Sequence, residues 1–140
     1  MSIRDLLTAP VQVLPPDATC NEAARMMRDE NVGCVVVAED GQPLGIVTDR
    51  DLTIRVLAAG GETQKLQLRD VMSEEPIFVS VDQSIDQVVA AMRDLAIRRV
   101  PVVDEEGELC GIVSLDDLLL RLVDQLGSLA EAVRAELAAA

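Results

Sequence analysis

The two halves of this 140-residue chain repeat each other, and this feature restricts its fold more than any other. Residues 17–29 match residues 82–94 at a spacing of 65, and residues 36–52 match residues 102–118 at a spacing of 66. An internal repeat of this kind predicts two copies of one supersecondary unit. Because a unit of about 60 residues buries too little surface to be stable alone, we expect the two copies to pack on each other.

Each copy predicts the order strand, helix, strand, strand, helix. Capping boxes begin at Thr19 and Ser84, and each opens a segment with apolar residues at helical spacing. A short apolar run, a Gly-containing turn and a return strand follow in each copy. The second helices are expected from Asp49 to about residue 59 and from Leu115 to about residue 126.

These elements predict an α+β fold (α/β) of two pseudo-symmetric β-α-β-β-α repeats packed sheet to sheet. The first repeat is expected at residues 1–63, the second at 64–126, and a C-terminal helical tail at 127–140. Apolar positions of the tail recur every four residues between Leu129 and Leu137, a spacing that suits packing on a partner.

The composition argues against catalysis. The chain has no His, and therefore lacks the commonest general base and the commonest neutral metal ligand. Cys20, Cys34 and Cys110 lie too far apart for a metal-binding motif, and small core residues are the simpler interpretation. No nucleophile–base pairing can be assembled without His. We expect no enzymatic activity, no catalytic residue and no metal site.

The charge distribution restricts the partners. The net charge is −13, and no basic stripe offsets it, so a nucleic acid would be repelled. The one aromatic residue, Phe78, cannot form a base-stacking platform. No apolar run is long enough for a membrane span, and the N-terminus lacks a signal-peptide pattern. We expect a soluble, cytoplasmic protein that binds neither nucleic acid nor membrane.

Two segments carry a resemblance to a known family. Gly-Ile-Val-Thr/Ser-x-x-Asp occurs at residues 45–51 and 111–117, and a proline-containing strand, Arg-Arg-Val-Pro-Val-Val-Asp, at 98–104. In these segments the chain resembles the CBS domain family, over roughly residues 3–126. The resemblance implies a tandem pair, or Bateman module, that forms a homodimer and regulates an effector protein. It implies an adenosyl ligand in clefts between the repeats: AMP, ADP or ATP first, with S-adenosylmethionine or NAD as alternatives.

The repeated motif places a hydroxyl and a carboxylate three residues apart at a helix start: Thr48 with Asp51, and Ser114 with Asp117. A carboxylate can accept two hydrogen bonds from a ribose diol, and a helix N-terminus attracts phosphate. The same spacing is also an ordinary helix cap, so the residues alone leave both roles open. The resemblance matches these four residues to ribose- and phosphate-contacting positions of the family.

Arg98 and Arg99 precede a predicted buried strand, where a guanidinium could bind phosphate oxygens bidentately. A solvated surface pair is the alternative, although the resemblance implies phosphate contact. We expect a first cleft with Ser114, Asp117 and both arginines, and a second with Thr48 and Asp51. Arg50 fits either a phosphate contact or solvent.

Apolar strand positions are the candidates for holding adenine, because no aromatic side chain is available for stacking. Any one of them could instead be an ordinary core residue. The candidates are Val11, Val13, Val32, Cys34 and Val35 in the first repeat, and Ile77, Val79, Ile97, Val100 and Pro101 in the second. The competing function is a dimerising scaffold that docks on another protein and binds no ligand.

Overall fold

The computed structural model describes residues 2–8, 11–73 and 78–139. The elements up to the middle of the chain are α1 (Ile3–Leu6), β1 (Val13–Leu14), α2 (Cys20–Glu30), β2 (Cys34–Glu39), β3 (Gln42–Thr48) and α3 (Asp49–Asp51), which continues as a π-helix over Leu52–Leu57. The remaining elements are α4 (Leu68–Val71), β4 (Val79–Ser80), α5 (Ile85–Leu95), β5 (Arg99–Val103), β6 (Leu109–Ser114) and α6 (Leu115–Ala139).

The strands form two equivalent three-stranded sheets, in the orders β1-β2-β3 and β4-β5-β6. In each sheet the short first strand runs parallel to the middle strand, and the last two strands form an antiparallel hairpin. The register pairs Val36 with Ile46 in one hairpin and Pro101 with Ile112 in the other. The predicted α+β fold of two β-α-β-β-α repeats is confirmed.

Both predicted capping boxes are present. The Thr19 hydroxyl accepts from the Glu22 backbone N–H at 3.1 Å, and the Glu22 carboxylate accepts from the Thr19 N–H at 2.8 Å. Ser84 and Gln87 make the same reciprocal pair, at 3.2 and 2.9 Å. Each pair satisfies two backbone donors that the first helical turn leaves free, which is why the helices begin at these positions.

The apolar residues form two separate cores, one for each sheet. Val35, Val37 and Val47 face α2 in the first core, which also takes in Leu68 and Val71 of α4. The second core includes, among others, the following residues of β5, β6, α5, α6 and α1: Val100, Val102, Val113, Val88, Met92, Leu118, Ile3 and Leu6. Each short lead-in helix therefore packs on the other repeat. The predicted boundary between residues 63 and 64 separates the sequence copies but not the cores.

The opposite faces of the middle strands are buried as well. Val36 and Pro101 point away from their own cores, yet Val36 is fully buried and Pro101 is also classed as buried. The Leu109 backbone N–H donates to the Gly41 carbonyl at 3.4 Å, which joins the two hairpins directly. The inner faces are thus covered where the repeats meet, as sheet-to-sheet packing requires.

The structure corrects two helix predictions. The expected break at residues 126–127 does not exist, because α6 runs through Gly127 without interruption. A glycine only weakens a helix unless its backbone leaves helical geometry. The expected single helix from Asp49 instead widens into a π-helix, in which the Ala58 N–H donates to the Thr53 carbonyl five residues back.

Candidate functional site

A cavity of about 290 Å³ opens between the repeats, where the β3–α3 corner faces the loop between α5 and β5. We call it the inter-repeat cleft. Its lining residues come from both repeats: Ile46, Thr48, Asp49, Arg50, Asp51, Ser73, Ala96, Ile97, Arg98 and Arg99.

The first wall is organised by a reciprocal hydrogen-bonded pair. The Thr48 backbone N–H donates to Asp51 Oδ2 at 2.9 Å, and the Asp51 N–H donates to Thr48 Oγ1 at 3.1 Å. The other carboxylate oxygen, Oδ1, lies 3.8 Å from Arg55 Nε, and the Asp51 side chain is only 18% exposed. The carboxylate is therefore held in one orientation at the cleft wall. Its remaining lone pairs can accept from a ligand hydroxyl.

The second wall carries the guanidinium of Arg99, which crosses to the first repeat. Arg99 Nη2 lies 2.8 Å from the position that a Cβ atom on Gly33 would occupy. Asp49 Oδ2 lies 3.5 Å from that same position. A glycine at residue 33 therefore leaves room for the arginine. The first repeat carries this glycine where the second carries its arginine pair, so the two clefts cannot be equivalent.

Arg98 lines the same cleft but is also engaged by its own repeat. Its Nη2 lies 2.6 Å from Asp116 Oδ1, and both side chains are about two-thirds exposed. An ion pair this exposed contributes little to stability because water screens it. The Arg98 carbonyl accepts from the Leu115 N–H at 2.8 Å, which ties the β5 lead-in to the start of α6.

The second Ser/Thr-x-x-Asp motif does not line this cleft, although Arg99 pairs with Ser114 in the register of β5 and β6. The Asp117 N–H donates to Ser114 Oγ at 3.0 Å, while Asp117 Oδ2 accepts from the Thr8 hydroxyl at 3.2 Å. The prediction grouped both arginines with Ser114 and Asp117, and neither of these two motif residues lines the cleft. The arginines line the cleft with Thr48 and Asp51, because the repeats face each other across their pseudo-twofold axis.

Most of the predicted adenine contacts lie elsewhere. Val79 and Val100 are 2% and 0% exposed in the second core, and Pro101 is buried on the other face of β5. Val13 is exposed in a separate groove. Val11, Val32, Cys34 and Val35 do not line the cleft, although Cys34 pairs with Thr48 in the register of β2 and β3. Ile77 lies outside the described residues. Of the described candidates, Ile97 lines the cleft.

Four lining residues were not singled out from the sequence: Ile46, Asp49, Ser73 and Ala96. A signal existed for Ser73, because the lead-in at residues 69–73 echoes residues 4–8, where Thr8 holds the equivalent place. Thr8 contacts Asp117, and Ser73 lies in the cleft with Asp51. The repeated lead-in sequence therefore supplies one hydroxyl residue near the aspartate of each Ser/Thr-x-x-Asp motif.

Cys34 lies opposite Thr48 in the register of β2 and β3 and is half-buried. Burial raises the pKa of the Cys34 thiol, an effect that Arg99 opposes and Asp49 reinforces. Since the thiolate is the reactive form, a raised pKa leaves Cys34 a small packing residue and not a nucleophile at neutral pH.

Two further searches cover the described residues. Among residues 2–8, 11–73 and 78–139, no three His, Cys, Asp or Glu side chains form a group that could hold a metal ion. Within the same ranges, no helix combines the length and apolar character needed to cross a bilayer.

The fold and the two copies of the motif define a class of tandem-repeat module with its cleft between the repeats. The CBS domain family matches residues 3–58 and again 68–124, and this chain belongs to that family. The two matches correspond to the two sequence copies, so the predicted resemblance is confirmed.

Two sequence relatives match most of this chain. YlbB of Bacillus subtilis is 43% identical over 120 residues, which cover 84% of this chain and 80% of YlbB. A protein of Methanopyrus kandleri is 39% identical over 117 residues. That match covers 83% of this chain but only 57% of the Methanopyrus protein.

Two solved structures share the fold closely. Hypoxic Response Protein I, with two coordinated zinc ions, superposes with a TM-score of 0.77 at 30% identity, covering 86% of this chain and 98% of that one. The CBS domain pair of protein MJ0100, in complex with 5′-methylthioadenosine and S-adenosyl-L-methionine, gives a TM-score of 0.80 at 25% identity. It covers 89% of this chain and 98% of that one.

Proposed function

We propose that this chain is a regulatory module that binds an adenosine-containing ligand in the inter-repeat cleft. The proposal rests on one observation: an acidic side chain and two basic side chains face each other across one cavity. A fixed carboxylate, Asp51, lies on the wall from the first repeat, and Arg98 and Arg99 lie on the wall from the second. A nucleotide presents the matching groups, a vicinal diol on its ribose and a phosphate on the same sugar.

Each wall has a distinct task in this proposal. Asp51 accepts hydrogen bonds from the ribose hydroxyls, and the Thr48 hydroxyl adds a polar contact beside it. Arg99 and Arg98 bind phosphate oxygens, with Arg50 as a third cation on the opposite wall. Ile46 and Ile97 supply an apolar surface for the base. Ser114 and Asp117 remain the candidates for a second cleft without these arginines.

The choice of ligand class has support from a related fold. The MJ0100 domain pair binds two adenosyl compounds, 5′-methylthioadenosine and S-adenosyl-L-methionine. In this chain the arginine wall favours AMP, ADP or ATP, because phosphate gives the guanidinium groups bidentate partners. S-adenosylmethionine and NAD are the alternatives.

The proposed output follows from the position of the cleft. A ligand that contacts both repeats favours the arrangement of the repeats in which both walls reach it. We propose that this arrangement is recognised by an effector protein in the cytoplasm, by a homodimer of the chain, or by both. The module itself catalyses no reaction in this proposal.

A thermal-shift screen tests the function. The chain is titrated with AMP, ADP, ATP, S-adenosylmethionine and NADH. A true ligand at 100 times its Kd stabilises the fold by about 2.7 kcal/mol, a rise in Tm on the order of 10 °C. If all five ligands leave Tm unchanged, ligand sensing is wrong and the scaffold function takes its place.

Matched variants locate the site. Asp51→Asn removes the charge from the inter-repeat cleft, and Asp117→Asn makes the same change at the equivalent position of the second repeat. We expect Asp51→Asn to weaken binding of the ligand about 10-fold or more, because hydrogen bonds to a charged group are lost, and Asp117→Asn to leave it nearly unchanged. The reverse pattern would move the site to the second motif.

The scaffold alternative is favoured by one observation. Helix α6 exposes a row of large aliphatic side chains, and an apolar surface of this kind is typical of protein–protein contacts.

A further inference from the structure

Beyond Leu118, which packs in the second core, helix α6 turns polar side chains toward its own domain. The Arg121 guanidinium donates through Nη2 to the Asp5 carbonyl at 3.1 Å. Asp124, Gln125 and Ser128 line a cavity of about 660 Å³ together with Asp5. The usual amphipathic helix does the opposite and turns its apolar side inward. Its apolar side is therefore left without a partner within the described chain.

The exposed apolar residues of α6 follow the spacing of a coiled coil. We call this set the α6 stripe: Leu119, Val123, Leu126, Ala130, Val133 and Leu137, with Leu122 and Leu129 along one edge. The six positions of the main row are separated by alternating steps of four and three residues, which is the heptad pattern of helices that pair along their length. The large side chains of the stripe are 45–71% exposed.

Five of the eight residues of the α6 stripe lie beyond the family match. The CBS match ends at residue 124, and the stripe continues for four more turns of helix. Between residues 119 and 139 every residue is exposed except Ala130, which is partly exposed. The packing of the two repeats therefore does not account for the apolar positions from Leu126 onward. An isolated helix of this length is marginal in water without a surface to pack on.

The area and the charge both suit a second copy of the same chain. Seven exposed Leu and Val side chains at roughly 100 Å² each present about 700 Å², close to the ~800 Å² per partner that a stable interface buries. The chain as a whole carries −13, but residues 125–139 contain Glu131, Arg134 and Glu136, a net charge of −1. Two copies can therefore approach along this helix with less repulsion than their overall charge would produce.

We propose that the α6 stripe is a self-association surface, on which α6 of a second copy packs stripe to stripe. This interface would join two CBS pairs through the C-terminal extension and leave the inter-repeat cleft free. A second copy is the partner that fits, because a heptad row on one helix can pack against the same row on an identical helix.

Light scattering coupled to size-exclusion chromatography tests the proposal on the full-length chain. The disruptive variant is Leu126→Glu with Val133→Glu, which places two charges in the stripe. The matched control is Ala132→Glu with Ala135→Glu, which adds the same charge to exposed positions on the other side of the helix. We expect the stripe variant to have half the particle mass of the wild type and the control to keep the wild-type mass. Equal masses for the wild type and the stripe variant would overturn the proposal.

Circular dichroism of the same variants supplies a second measurement. Without its partner the extension should fray, so the stripe variant should lose helical signal at 222 nm while its core still melts cooperatively. Raising the salt concentration should strengthen association of the wild type, because it screens the repulsion between two acidic copies. A stripe variant that unfolds altogether would show the stripe to be part of the monomer core and would contradict the proposal.

Discussion

Arg99 of the second repeat ends beside Gly33 of the first, with its Nη2 atom 2.8 Å from the place of a Cβ on that glycine. Among the three described atoms nearest to that place, two belong to Arg99 of the second repeat and one to Asp49 of the first. This relationship brings a guanidinium from β5 to the corner that begins with Thr48. The inter-repeat cleft therefore combines the Asp51 carboxylate of one repeat with Arg98 and Arg99 of the other.

Replacing Arg99 should separate phosphate binding from nucleoside binding. We expect Arg99→Gln to weaken binding of ADP by about 10–100-fold, since a bond to a charged group contributes about 1.5–3 kcal/mol, and to change adenosine binding little. Isothermal titration calorimetry with both ligands measures the difference. The control is Arg93→Gln, an exposed residue of α5 that pairs with Asp94. An equal loss for adenosine and ADP would show that Arg99 shapes the cleft and does not contact phosphate.

Releasing Arg98 from its ion pair should strengthen binding of a phosphate ligand. In Asp116→Asn the Arg98 guanidinium loses its 2.6 Å carboxylate partner and becomes free to bind the ligand. In the wild type, ADP must break the Arg98–Asp116 ion pair, which contributes about 0–1 kcal/mol. The variant has no such pair to break, so we expect ADP to bind a few-fold more tightly. Asp124→Asn on α6 removes the same charge without touching Arg98. If both variants bind ADP equally tightly, the gain is a general charge effect and Arg98 has no special role.

Two glycines should differ in their tolerance of alanine. At Gly45 an added Cβ would lie 2.9 Å from the Ser73 carbonyl oxygen and 2.8 Å from Met72 Sδ, whereas at Gly33 the nearest atoms belong to the flexible end of Arg99. We expect Gly45→Ala to lower the free energy of unfolding by about 1–3 kcal/mol, because backbone must move. Gly33→Ala should lower it by less than about 1 kcal/mol. Urea unfolding measures both, and equal losses would contradict this account.

Replacing Gly127 by alanine should stabilise helix α6. Apart from the adjacent residues and the helix backbone, no atom of the described chain lies within 4 Å of a Cβ placed there, and the residue is inside a continuous helix. Alanine is favoured over glycine in a helix interior by about 1 kcal/mol, so Gly127→Ala should increase the helical signal and slow amide exchange on either side. Hydrogen exchange resolves the effect by position. Faster exchange in Gly127→Ala would show that the glycine is needed for a bend.

The local structure could be predicted because it depends on neighbours in sequence. The capping boxes at Thr19 and Ser84 and the hairpins after them need only residues a few positions apart, and they occur where the patterns indicated. The helix expected to end at about residue 126 continues through Gly127, because a glycine ends a helix only when the backbone there turns left-handed. The helices α2 and α5 do end in that way, at Asn31 and Ala96.

The cleft could be predicted only in part. Thr48, Asp51, Arg98 and Arg99 were each identified from the sequence, but the sequence does not state which motif faces which arginine. Val79 and Val100 were expected to contact adenine, yet the sheet turns them into the second core. In a strand, neighbouring side chains point to opposite faces, and only the packing decides which face meets a ligand.

The sequence by itself determined the two-fold repeat, the order of elements in each repeat and the residue types available for binding. These depend on periodicity and on short-range hydrogen bonding. Only the tertiary structure decided that α1 and α4 pack on the opposite repeats, and that the arginines of the second repeat line one cleft with Thr48 and Asp51 of the first. The physical reason is that the pseudo-twofold packing of two sheets brings together residues about 50 positions apart, a relation that no local pattern encodes.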